Sequence, residues 1–90
     1  MTNPDPTRPY HLMTARGREA QEDSLQQAVA SAAFLHNIAS GTITCQPEDD
    51  PRTWYVYRSQ ASLDADLERG PINQQSPGWF AIVRYTGPRA

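Results

Sequence analysis

The chain has 90 residues, 38% of them hydrophobic, with eight aromatic side chains and a formal net charge of -2. A domain of this length hides only about 60–65% of the surface its unfolded chain exposes, so one thin core is available, while the apolar content argues against wholesale disorder. No stretch approaches the ~18 apolar residues of a membrane span, and the Pro- and Asp-bearing start lacks the apolar centre of a secretion signal; the expectation is a cytoplasmic protein.

Residues 1–9 carry Pro4, Pro6 and Pro9, which deny helix and favour a flexible, extended arm. From Tyr10 the alternation of Tyr10, Leu12 and Thr14 with His11, Met13 and Ala15 predicts a strand that stops near Gly17. Arg18 to Asp23 is polar and predicts a loop or the frayed lead-in to a helix. Ser24 followed by Gln27 has the form of a capping box, which starts a helix expected to reach about Ala39 with Gly41 ending it. Leu25, Ala28, Val29, Ala32, Leu35 and Ala39 form its inner stripe; Phe34 and Ile38 fall outside that stripe.

Thr42 to Gln46 and Thr53 to Arg58 predict two strands of a hairpin around a polar loop from Pro47 to Pro51. Ser59 or Ser62 caps a short second helix, with Leu63 and Leu67 inward and Asp64, Asp66 and Glu68 in water, closed by Gly70-Pro71. The run from Trp79 to Tyr85 carries large apolar groups on both faces, which marks a central strand. The order is β-α-β-β-α-β. The expected fold is α+β and ferredoxin-like: a four-stranded antiparallel sheet in a split β-α-β arrangement, with two helices on one face. Residues 10–86 form the single domain, and 87–90 a tail.

Chemistry is sparse. The lone Cys45 lacks a disulfide partner, and no Cys/His cluster supplies four zinc ligands, so no metal or cofactor is expected. Cys45 with His11 or His36 as base is the available nucleophilic pairing, but a Cys within a strand is ordinarily a core residue, and His36 lies on the inner side of its helix. Glu48-Asp49-Asp50 lacks the alternating ligands and central Gly of a calcium loop and is expected to be a solvated hairpin tip. Phosphate-loop, dinucleotide, zinc-protease and serine-hydrolase motifs are absent from the sequence. The expectation is a protein that is not an enzyme.

Arg52-Thr53-Trp54-Tyr55-Val56-Tyr57-Arg58 is an aromatic strand flanked by Arg, the composition an RNA- or single-stranded-DNA-binding sheet would use for stacking and phosphate contacts. The glycines of the RNA-recognition consensus are missing, and the Arg residues are scattered along an acidic chain, which disfavours a polyanion partner. Two apolar surpluses remain: the Phe34/Ile38 side of the first helix, and the aromatics of the third and fourth strands. The expected function is that of a protein-binding module, a subunit, adaptor or stoichiometric inhibitor of a larger protein, with a phage or mobile-element anti-defence inhibitor as the example suggested by size. The expected contact residues are Phe34, Ile38, Arg52, Tyr55, Tyr57 and Arg58, with the tyrosines facing outward and the arginines pairing with a partner's carboxylates. The small core and the spare helix face also favour a homodimer.

Overall fold

Among the described residues seven elements form: β1 (Tyr10–Thr14), β2 (Glu19–Glu22), α1 (Leu25–Leu35), β3 (Ile43–Cys45), β4 (Thr53–Tyr57), α2 (Gln60–Arg69) and β5 (Trp79–Tyr85). They are seen in a computed structural model that describes residues 7–39 and 41–87. Residues 1–6 of the expected arm, Ser40 and residues 88–90 of the expected tail lie outside the described residues.

The sheet has five strands in the order β2-β1-β5-β4-β3, with every neighbouring pair antiparallel. The four-stranded, ferredoxin-like expectation is corrected in three ways. First, the polar stretch before α1 is a strand rather than a loop. Gly17, at φ +83°, turns the chain after β1, and Thr14 exchanges backbone hydrogen bonds with Arg18 and Gly17 at 2.8 and 2.9 Å. The turn folds Glu19–Glu22 back onto β1, where charged side chains suit an edge strand.

Second, the strand order is not that of the split β-α-β arrangement, although β5 takes the central place that its two apolar faces predict, between β1 and β4 and antiparallel to both. Third, the two helices lie on opposite faces. α1 packs Ala28 and Ala32 against Leu12, Val56, Ala81 and Val83, with Leu25, Val29 and Leu35 around them. α2 and the segment after it bring Leu63 and Ile72 onto Tyr55 and Tyr57, with Ile43, Cys45, Trp79 and Ile82 alongside. Successive side chains of β4 point to opposite faces, so its two cores are separated by the sheet itself.

Local stops explain the helix lengths. Ser24 accepts from the Gln27 N–H at 3.1 Å as the capping pattern requires. α1 ends four residues earlier than Ala39, because Asn37 takes a left-handed conformation (φ 58°). The Ile38 N–H then reaches the Ala33 carbonyl at 2.8 Å and the Asn37 N–H the Phe34 carbonyl at 3.1 Å, a Schellman closure. For α2, Ser59 is the cap and accepts from the Ser62 N–H, and Gly70 closes the helix. Among the described residues no helix is long and apolar enough to cross a membrane.

Candidate interaction surfaces

The expected contact residues are divided between interior and surface. Tyr55 is 5% exposed and Tyr57 is fully buried, so neither faces outward; α2 occupies the face they were expected to present. The reason is that both faces of β4 are core faces, not one. A base-stacking role for these rings would need the surface that Leu63 and Ile72 cover.

Beneath α2 the Tyr57 hydroxyl donates to Asp66 Oδ2 at 2.7 Å, and the Gly78 N–H donates to the same oxygen at 2.9 Å. Asp66 is therefore buried, at 4% exposure, where a solvated position had been expected. Burial, reinforced by the hydrogen bond and charge of Asp66, pushes the Tyr57 hydroxyl well above the usual tyrosine range, so it stays a proton donor. Holding Asp66 inward rotates α2 so that Leu67 is left half in water instead of facing the core.

Arg52 lies over the Tyr85 ring, 5.1 Å from its centroid, and donates to the Gly87 carbonyl. Arg58 lies 5.5 Å over the Phe80 ring. Both guanidiniums are thus engaged with aromatic faces of their own chain. Ile38, beyond the end of α1, packs against the first core and is half-buried rather than part of an outer helix face. Of the six expected contact residues, Phe34 alone is a largely exposed apolar side chain, at 83%. It lines a shallow cleft with Glu19, Ala20, Ala30, Ser31 and Leu35, between the last turns of α1 and the β2 edge.

Among the described residues Cys45 is not brought to either histidine. Cys45 packs on the α2 side, while His36 lies against Phe80 on the α1 side, ring centroids 4.9 Å apart and tilted by 56°. His11 shares a face with Cys45 but lies three strand spacings away, about 14 Å, and binds Glu19 at 3.1 Å. Burial pushes the Cys45 thiol up, which weakens it as a nucleophile. In the acidic loop, Asp50 accepts from the Arg52 N–H, and no group of three or more His, Cys, Asp or Glu among the described residues is placed to hold a metal ion.

A second surface was missed. α2 covers β3 and β4 and leaves the rest of its face open, where His11 and Met13 of β1 and Trp79, Ile82 and Arg84 of β5 line a groove of about 320 Å³ with Gln74. Met13 is 45% exposed. The sequence held a signal for this groove, namely Met13 standing opposite Leu12 across β1 and Ile82 opposite Val83 across β5.

No family model, curated protein or solved structure matches the chain. The functional reading therefore rests on these surfaces.

Proposed function

We propose that the protein is a stoichiometric protein-binding module, a subunit, adaptor or inhibitor of a larger protein, that acts by occupation and not by catalysis. The observation that carries this reading is Phe34. It sits on a helix whose other large apolar residues pack on the core, yet it projects into water beside the small side chains Ala20 and Ala30. A rigid ring, largely in water at the rim of a shallow cleft, suits insertion into an apolar pocket of a partner, the arrangement in which one aromatic dominates an interface. Size places a phage or mobile-element inhibitor acting in the cytoplasm within this class.

The test is affinity capture from the native host with mass-spectrometric identification, comparing the wild-type protein with Phe34→Ala. One protein recovered by the wild type and at least about tenfold depleted with the variant supports the reading. Equal recovery by both, or recovery that nuclease abolishes, overturns it.

A further inference from the structure

The open half of the α2 face carries opposite charges at opposite corners of an apolar patch. Met13 pairs across the sheet with Glu19 on one side and Ile82 on the other, and His11 pairs with Gln21 and Arg84 in the same way. Paired residues share a face, so Glu19, Met13 and Ile82 form one row and Gln21, His11 and Arg84 the next. With strands about 4.8 Å apart and same-face residues about 6.8 Å apart along a strand, Glu19 and Arg84 mark the two ends of a diagonal about 12 Å long. Glu19 has a partner in His11, whereas Arg84 is exposed and has no ion pair among the described residues.

We propose that this half-sheet is the interface of a symmetric homodimer in which Arg84 of each copy meets Glu19 of the other across Met13 and Ile82. A two-fold axis parallel to the sheet and perpendicular to the Glu19–Arg84 diagonal places each cation over the opposing anion at both ends. The same axis passes close to Met13 and Ile82 and sets each against its own counterpart. A patch complementary to itself in charge and in apolar content is what an isologous interface requires. Phe34 stands on the other side of the sheet, whereas Glu19 also lines the cleft beside it, so the two surfaces meet at the β2 edge and Arg84 belongs to the dimer face alone.

Three strands offer less than the ~800 Å² a side of a standard interface, so the dimer is weak and concentration-dependent. Sedimentation velocity on the full chain from about 10 µM to about 1 mM spans the range in which such an interface dissociates. The wild type should shift from one chain's mass towards two across that range. Glu19→Arg and Arg84→Glu should each raise the dissociation constant at least about tenfold, because each reversal acts twice in a symmetric interface. Mixing the two variants should restore association to near the wild-type level, since the mixed pair opposes Arg to Glu at both contacts. A wild type that stays monomeric at ~1 mM overturns the proposal, as does a dimer that ignores both reversals or variants that do not recover on mixing. Loss of a captured heterologous partner in the charge variants, with no dimer, assigns the surface to that partner and also overturns it. Both positions are exposed on strands, and circular dichroism of each variant checks that the fold is unchanged.

Discussion

The Tyr57 hydroxyl and the Asp66 carboxylate, 2.7 Å apart, tie the second strand of the β3–β4 hairpin to α2 across the interior of the second face. Their bond explains how a helix with few apolar residues stays docked, since Leu63 is the one buried apolar side chain it supplies. Tyr57→Phe keeps the ring and removes the donor, leaving Asp66 with the Gly78 N–H. The expected loss is about 1.5–3 kcal/mol, the range for a hydrogen bond to a charged group. Urea denaturation measures it, and a loss under about 0.5 kcal/mol shows that the bond contributes little.

Gly78 completes the same cluster, because a Cβ there would stand 2.8 Å from Asp66 Oδ2 and 3.1 Å from a Tyr57 ring carbon. Gly78→Ala should cost about 1–3 kcal/mol through crowding. The cost should shrink by at least about 1 kcal/mol when Asp66 is already Ala, as expected for residues in contact. Gly17→Ala is the control: its Cβ meets open space, and its cost of about 1–2 kcal/mol comes from φ +83° alone. That cost should be additive with Asp66→Ala to within about 0.5 kcal/mol. A Gly78 effect equally independent of Asp66 removes the crowding account.

The central position of β5, the β3–β4 hairpin, the Ser24 cap, a serine cap for α2 at Ser59 or Ser62, and the small-residue stripe of α1 were all legible, because each rests on local chemistry or on a residue's two faces. β2 was not legible: Glu19-Ala20-Gln21-Glu22 has little strand propensity, and its pairing comes from the turn at Gly17 and the exposed edge of β1. Asp66 was misplaced for a similar reason. A carboxylate on a short helix is ordinarily solvated, and its two donors come from β4 and from the loop before β5, distant in sequence. The outward tyrosines were a separate misreading that came from the split β-α-β order: with both helices expected on the Trp54/Val56 side, the Tyr55/Tyr57 side of β4 was left bare.

Phe34 and Tyr57 were expected to be equivalent contact residues, and burial now separates them. Phe34→Ala should change stability by less than about 0.5 kcal/mol, because the ring leaves water on one small side only and Ala is the better helix former. Tyr57→Ala should cost about 3–5 kcal/mol, the range for deleting a buried aromatic, and a domain this small would be largely unfolded by it. Thermal unfolding monitored by circular dichroism distinguishes them. A destabilised Phe34→Ala would mean that the ring packs on its own chain, and its loss of binding could then not be assigned to the interface.

His36 caps α1 with its ring against Phe80 and both ring nitrogens buried without a hydrogen-bond partner among the described residues. Burial, and then the positive charges of Arg16 and Arg58, hold its pKa below the usual histidine value of 6.5. The folded chain thus resists a proton that the unfolded chain accepts. Between the lowered folded pKa and about 6.5 the unfolded state binds more protons, so stability rises with pH through that window and levels off above it. Seen from neutral pH, the protein should lose stability as acid takes it below about 6.5. His36→Leu removes the titrating group and keeps an apolar side chain against Phe80. Its denaturation midpoint should stay flat between pH 7 and the onset of carboxylate protonation near about pH 5, where the wild-type midpoint falls. Parallel profiles for the two proteins across that interval would place the acid sensitivity elsewhere in the fold.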